Sequence, residues 1–415
     1  MSFMKQLRCF APGLGLFLFC LLVSLEVHAT YSIVAVDTET GAVGGAGASC
    51  IAGSQMINDV IEGIGAVHTQ AYYLEGNQNN ARNLLASGLT PDSIIGWLIN
   101  NDVENDPEFR QYGVVTLAGP GASAGFTGSA TTFWKGHLTG TGYAIQGNIL
   151  LGSEILDDME TAFLATTGPL EDRLMAALEA ANVPGADIRC MSCDKPAISA
   201  FIKVVHPGDG ATPYLYEFVD DTPCEMNPMD SLWLKFNNWK LAKQADADSS
   251  LIEVDPDYIP ATGSDSAMVT VTPKNFQGET PTEGTEVTIL HTGTGVLRSI
   301  TDNGDGTFSA WMISPPVFGV DTIGAEIVAG GEEVEISSTV VLHYYRCGDA
   351  DGDGQINLLD ILYLIDHLYG DPAGPASIPP EAGDANGDTA INLLDILYLI
   401  DHVYGSPQGP EPVCP

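Results

Sequence analysis

Residues 27–50 read VHATYSIVAVDTETGAVGGAGASC. Two strand-like runs, YSIVAVD and AVGGAGASC, flank the turn TETG, and the small residues of Val27-His28-Ala29 stand where a signal peptidase inspects its substrate. Upstream lie Lys5 and Arg8, then an apolar run from Leu14 to Leu25 that is shorter than the ~20 residues a membrane-spanning helix needs. Residues 1–29 therefore read as a secretory signal peptide cleaved between Ala29 and Thr30, with no membrane insertion afterwards. Cleavage would give Thr30 a free α-amine. A threonine hydroxyl is a weak nucleophile until a base takes its proton, and an α-amine with a reference pKa of ~7.7–8.0 can be that base. One residue then carries nucleophile and base, an arrangement suited to acyl transfer from an amide.

The 415 residues exceed what one core usually supports, so two or three domains are expected. Lys and Arg total 15 against 54 Asp and Glu, a formal net charge of -39. That charge repels nucleic acid and anionic lipid and suits cation binding or a salty exterior. Cys9 and Cys20 leave with the leader, and Cys50, Cys190, Cys193, Cys224, Cys347 and Cys414 remain. An even number outside the cell suggests disulfides. Cys190-Met-Ser-Cys193 also fits a redox pair or half a metal site, although no second CxxC or HxxxH completes one. Cys50 with Cys190 and Cys193 with Cys224 is one connectivity among several.

Residues 30–245 mix strand runs such as GIGAVHTQA, YGVVTLAG and AISAFIKVV with helical stretches, and Pro91 and Pro169 sit near two helix starts. This is one α/β domain ending in the amphipathic DSLWLKFNNWKLAKQ. The polar stretch 246–264 reads as a linker. From 265 to 345 alternating strands and Gly-rich turns indicate an immunoglobulin-like β-sandwich. Within it TDNGDGTF offers Asp302 and Asp305 but lacks regularly spaced oxygen ligands, so it reads as a hairpin turn. This segment resembles the invasin- or filamin-like modules of bacterial secreted proteins, which implies a spacing or presenting role.

Residues 346–415 contain a duplication: GDADGDGQINLLDILYLIDHLYG starts at Gly348 and GDANGDTAINLLDILYLIDHVYG at Gly383. In a twelve-residue calcium loop, positions 1, 3, 5, 7, 9 and 12 would be Asp349, Asp351, Asp353, Gln355 through its carbonyl, Asn357 and Asp360. The second copy supplies Asp384, Asn386, Asp388, Ala390, Asn392 and Asp395. Ca2+ takes six to eight hard oxygen ligands when the chain turns sharply near position 6. Gly354 permits that turn; Thr389 replaces it in the second copy, which is expected to bind more weakly or bend differently. Each loop leads into one helix, and this duplicate resembles the type I dockerin over residues 348–405. The resemblance implies a calcium-ordered, small all-α module that joins a secreted protein to a cohesin-type partner. It also implies that loop positions 10 and 11, here Leu358, Leu359, Leu393 and Leu394, choose that partner. Cellulosomal dockerins commonly carry hydroxyls at these positions. Cys347 and Cys414 flank the module, and a bridge between them would clasp its ends.

In the first domain, TYSIVAVDTETGAVGGAGAS, GIGAVHTQA, RQYGVVTLAG, FTGSATTFWKGHLTGTGYAIQGNIL, PLEDRLMAALEAA and GADIRC together resemble the bacterial domain-of-unknown-function family 1028. That family is assigned to the N-terminal-nucleophile hydrolases, which implies an α+β, four-layer αββα sandwich opening on the nucleophile. Gln146 and Asn148 in GYAIQGNIL can polarise a carbonyl or satisfy loop backbone. Asp187 and Arg189 form a structural ion pair or grip a substrate carboxylate. His68, Gln70 and His137 can line a pocket or serve structure, Asp37 reads as a turn residue, and Ser49 can face the first strand. A lysine like that of the proteasomal threonine site is missing after the second strand. Two functions fit: a secreted, dockerin-delivered amidohydrolase acting on extracellular polymers, peptidoglycan included, or a non-catalytic extracellular ligand-binding or structural protein.

Overall fold

The structure, a computed structural model, describes residues 30–131 and 133–414; the leader falls outside the described residues. The chain divides into two compact units between Lys235 and Phe236.

The first unit opens with β1 (Thr30–Val36), β2 (Val43–Ser49), β3 (Asn58–Ile61), β4 (Gly65–Ala71), α1 (Glu75–Ala86) and α2 (Pro91–Asn100). It continues through β5 (Arg110–Thr116), β6 (Ala122–Thr127), β7 (Trp134–Gly140), β8 (Tyr143–Leu150), α3 (Glu154–Ala165), α4 (Leu170–Ala180), β9 (Ser199–Val205) and β10 (Leu215–Val219). Then α5 (Pro228–Leu241) runs past the division. Thr90 caps α2, accepting from the Ser93 amide, with Pro91 at the first helical position where its missing N–H costs nothing. One sheet has the order β10-β9-β2-β1-β8-β7 and the other β3-β4-β5-β6. They face each other; α1 and α2 cover the outer face of the smaller sheet, and α3 and α4 that of the larger. The result is the four-layer αββα arrangement.

Every position of β1 and β2 is buried, so these strands are covered on both faces. Alternation sends Tyr31, Ile33 and Ala35 to one face and Thr30, Ser32, Val34 and Val36 to the other. Val34 and Val36 join Val43, Ala66, Val115, Ala144 and Val205 in an apolar cluster between the sheets. The other end of the same layer is polar.

The second unit holds β11 (Leu251–Asp255), β12 (Tyr258–Pro260), β13 (Ser266–Thr272), β14 (Glu286–His291), β15 (Val296–Leu297) and β16 (Thr301–Asp302). After these come β17 (Phe308–Ile313), β18 (Gly319–Ala329), β19 (Glu332–Glu335) and β20 (Val340–Tyr345). They form a sandwich of β11-β13-β17-β15, with β16 on β17, over β12-β20-β18-β14, with β19 on β18. TDNGDGTF makes the expected hairpin, with Asp302 opposite Phe308 and the Asn303 amide on the Thr307 carbonyl. The linker reading of 246–264 is corrected: β11 pairs with β13 and β12 with β20, and Ile252 and Ile259 are buried in the sandwich core. Both strands are short and broken by Asp255-Pro256, which hides their alternation in polar sequence.

Two helices follow, α6 (Leu358–Tyr369) and α7 (Leu393–Tyr404). Their core is a matched set in which Ala350, Ile361 and Leu364 of the first repeat meet Ala385, Ile396 and Leu399 of the second. The disulfides are Cys50–Cys190, Cys193–Cys224 and Cys347–Cys414. Cys190 and Cys193 thus belong to different bridges, which removes the redox-pair and metal-site alternatives. Among the described residues no helix is long and apolar enough to cross a membrane.

Candidate functional site

Pairing in β1, β4, β5 and β8 fills the polar end of the inter-sheet layer. Thr30 stands opposite Asn148 and Ser32 opposite Gln146, while Gln70 lies opposite Gln111 in the facing sheet. All six are buried, together with Ser49 and His68. Thr30 Oγ1 donates to Ser49 Oγ at 3.3 Å. Ser32 Oγ donates to Gln70 Oε1 at 2.6 Å and accepts from Gln146 Nε2 at 2.7 Å. Gln70 Nε2 donates to the Thr30 carbonyl at 3.2 Å and to Gln111 Oε1 at 2.7 Å. Gln111 is the hub: its Nε2 donates to Thr127 Oγ1 and to the carbonyls of Gly136 and Gly147, and its Oε1 also accepts from Asn148 Nδ2 at 3.0 Å. Two glycines make room. A Cβ on Gly113 would occupy the place of Gln146 Oε1, and one on Gly45 would lie 2.6 Å from His68 Nε2.

Hydrogen-bond polarity assigns the tautomer of His68. Its Nδ1 accepts from Gln146 Nε2 at 3.3 Å, so the proton sits on Nε2, which donates to Asn58 Oδ1 at 3.1 Å. Burial pushes its pKa down to about 3, so the ring is neutral at ordinary pH. Exposed His137 meets Thr127 Oγ1 through Nδ1 at 2.9 Å.

Gln146 serves the layer itself in this structure. Its Nε2 is directed to Ser32 Oγ, the Ser32 carbonyl and His68 Nδ1, inside the layer. Asn148 stands directly beside Thr30. Buried Asp187 accepts from the Cys50 amide at 2.7 Å and from Arg189 Nε and Nη2 at 3.1 and 2.8 Å, so the pair braces the chain just past Ser49. Asp37 is a turn residue at the far end of β1, accepting from the Glu39 amide. Lys135 shares the cross-strand row of Asn148 and Thr30, but its Nζ donates to the carbonyls of Ser129 and Thr131 in the β6–β7 loop. Ser32, Gln111 and Thr127 were not singled out in the sequence; the available signal, for Ser32, was its place two positions after Thr30 in a strand otherwise apolar on that face.

In the C-terminal repeats, Asp349, Asp351 and Asp353 bring carboxylate oxygens within 4.8 Å of one another. Asp349 winds the first loop by accepting from the Asp353 and Gly354 amides, and Asp384 does the same with Gly387, Asp388 and Thr389. Burial, with the charges of Asp360, Asp353 and Asp351 adding to it, pushes Asp349 up to about 6 against the opposing hydrogen bond from Gly354. Such hard-oxygen donors under mutual repulsion fit a divalent cation. The side chains of Asn357 and Asn392 accept from the Leu359 and Leu394 amides and cap α6 and α7, each in a capping box with Asp360 or Asp395. Leu358, Leu359, Leu393 and Leu394 are exposed, and Leu362, Ile365, Leu397 and Ile400 extend these apolar faces down the helices.

The chain is therefore a multidomain protein: an αββα domain built around a buried polar layer, a β-sandwich, and a duplicated loop-helix module. Residues 30–229 match the model of the family of unknown function DUF1028. Residues 246–344 match invasin domain 3 and residues 347–404 the dockerin type I domain. Type I dockerins generally bind calcium and dock to extracellular cohesins, and with the sandwich and disulfides they point to an extracellular location. Among solved structures, the DUF1028 protein SPO2555 from Silicibacter pomeroyi is 27% identical, with 51% of this chain and 88% of that chain covered and a TM-score of 0.43. The Yersinia pseudotuberculosis adhesin InvE is 20% identical over 25% of this chain and 28% of its own, with a TM-score of 0.22. InvD of the same organism is 12% identical over 57% and 53%, also at 0.22. No curated protein matches the chain.

Proposed function

We propose that the protein is a secreted amidohydrolase whose nucleophile is Thr30, exposed as an N-terminal residue by removal of residues 1–29. The carrying observation is the place of Thr30: first residue of a central strand, with Oγ1 on Ser49 and a frame of interlocked amides behind it. In the reaction Thr30 Oγ1 attacks the amide carbon as its proton passes to the α-amine, the resulting ammonium gives that proton to the leaving nitrogen as the C–N bond breaks, and a water deprotonated by the same amine hydrolyses the acyl ester and restores Oγ1–H. Asn148 is the amide left to orient the reacting groups, and Asp187 with Arg189 braces the Ser49 end. Amides or peptide cross-links of extracellular polymers, peptidoglycan included, are the substrates that suit secretion and docking. The dockerin binds Ca2+ through the aspartates of its two loops, with Asn357, Asn386 and Asn392 and the carbonyls of Gln355 and Ala390, and presents Leu358, Leu359, Leu393 and Leu394 to a cohesin with an apolar face. The sandwich spaces the two functions.

Intact mass of the secreted protein should begin at Thr30; a single extra residue sinks the mechanism. An electrophilic amide analogue should label Thr30, and Thr30→Ala should reduce labelling by on the order of a thousandfold or more, with Thr30→Ser retaining part of it. A correctly processed wild type that never labels favours a binding role.

A further inference from the structure

One buried oxygen in the Thr30 row has no donor. Asn148 is 1% exposed and lies directly opposite Thr30, so the two side chains leave the sheet on the same face with Cβ atoms roughly 4.5–5.5 Å apart. The orientation of its amide follows from its neighbours. Gln111 Nε2 faces the carbonyls of Gly136 and Gly147, which can only accept, so Gln111 Oε1 must be the acceptor on its other side. Gln70 confirms that polarity, because its Nε2 faces the Thr30 carbonyl as well as Gln111 Oε1. The Asn148 atom 3.0 Å from Gln111 Oε1 is therefore Nδ2, and Oδ1 is left without a partner. An orphaned buried acceptor costs about 1–3 kcal/mol.

We infer that Asn148 Oδ1 is the acceptor for the α-amine of mature Thr30 and so the residue that positions the proposed base; this rests on the N-terminal-threonine reading. In the uncleaved chain Thr30 has one amide N–H, and it leaves Oδ1 unpaired. Cleavage replaces that amide with an amine that has more N–H groups and turns freely about the Cα–N bond. One N–H on Oδ1 fixes the rotation and leaves the lone pair free to face Oγ1. A neutral amide oxygen suits this task better than a carboxylate, which would hold the amine as ammonium and remove its basicity. The role also explains why Gln111 is so fully engaged: its two amide hydrogens face three acceptors, which locks the amide that locks Asn148.

The test uses the mature, full-length protein. The pH dependence of acetic anhydride labelling of the α-amine, read from the mass of the N-terminal peptide, gives the pKa of that amine. Asn148→Asp, nearly isosteric, should raise it by roughly 1 to 3 pH units, while Asn100→Asp at the exposed end of α2 should leave it in place. Because a buried carboxylate can impair folding, a second measurement needs no variant: a crystal structure of the mature protein should place the Thr30 nitrogen within ~3.2 Å of Asn148 Oδ1. A nitrogen more than ~4 Å away, or an unmoved pKa in folded Asn148→Asp, overturns the inference. An N-terminal peptide that starts elsewhere than Thr30 overturns the underlying reading instead, and the same mass spectrum tells the two apart.

Discussion

Gln111 concentrates the energetics of the polar layer, since it is fully buried and bonded through both ends of its amide to Gln70, Thr127, Asn148 and two carbonyls. Gln111→Leu keeps the volume but strands several buried partners, each costing about 1–3 kcal/mol, so urea denaturation should show a loss of about 3 kcal/mol or more. Asp102 and Arg110 make a second residue-scale test. Burial alone would raise the pKa of Asp102. Hydrogen bonds from Arg110, the Asp106 amide and Asn77, with the charge of Arg110, outweigh it and hold Asp102 at about 2. The pair is buried, with Arg110 Nε 2.9 Å from the carboxylate. The folded pKa lies below the unfolded value of ~3.9, so the stabilisation is present above that value and is lost as pH falls toward 2, roughly 2.5 kcal/mol in all. Arg110→Met should flatten the acid limb of the stability curve between about pH 4 and 2. At this scale sequence reasoning singled out Thr30, Asn148, Asp187 and Arg189, and the structure sets Asn148 opposite Thr30 and the Asp187–Arg189 pair against the Cys50 amide. It missed Gln111 and left Gln146 open between two roles, because only the packed sheets show where an amide's hydrogens point.

Among the elements, the loops before α6 and α7 show how far a repeat can be trusted. The backbone at position 6 is left-handed in both, with φ of 86° at Gly354 and 70° at Thr389. Its amide bonds the first aspartate of the loop in both, at 2.8 and 2.7 Å. The second loop therefore keeps the same turn at the expense of strain, about 1–2 kcal/mol for an L-residue in that region. Thr389→Gly should stabilise the second loop by about 1 kcal/mol, which calcium titration would read as roughly fivefold tighter binding at that site. An unchanged affinity would mean that ion binding does not depend on this turn. The Asn357 and Asn392 caps qualify the loop spacing in another way. Spacing places them among possible ligands, and an asparagine just before a helix also has unpaired helical amides within reach, which these two side chains cap. β11 and β12 escaped the strand reading for a related reason: a five-residue and a three-residue strand acquire their identity from partners far along the chain.

At the scale of the molecule, composition and repeats made the module order legible, whereas the forces holding the last module together emerge only from the folded chain. Its core is small: six buried side chains, two of them alanine, serve the two 12-residue helices. Helices of that length are marginal alone, so the module depends on its links. The Cys347–Cys414 bridge closes a separation of 67 residues, for which the chain-entropy model allows roughly 4 kcal/mol. Calcium at a thousandfold excess over its dissociation constant adds about 4 kcal/mol per site. Each contribution is comparable to the whole stability of so small a core, so either link alone should keep the helices formed and loss of both should unfold them. The doubly substituted Cys347→Ser/Cys414→Ser protein should melt cooperatively in calcium. In chelator it should lose the α6 and α7 circular-dichroism signal at 25 °C, while the first domain, with its own two disulfides, melts unchanged. The disulfide-intact protein in chelator should show only a lowered melting temperature for this module. If the substituted protein kept its helices in chelator, the paired-helix core would be self-sufficient, and calcium would serve the docking face rather than the fold.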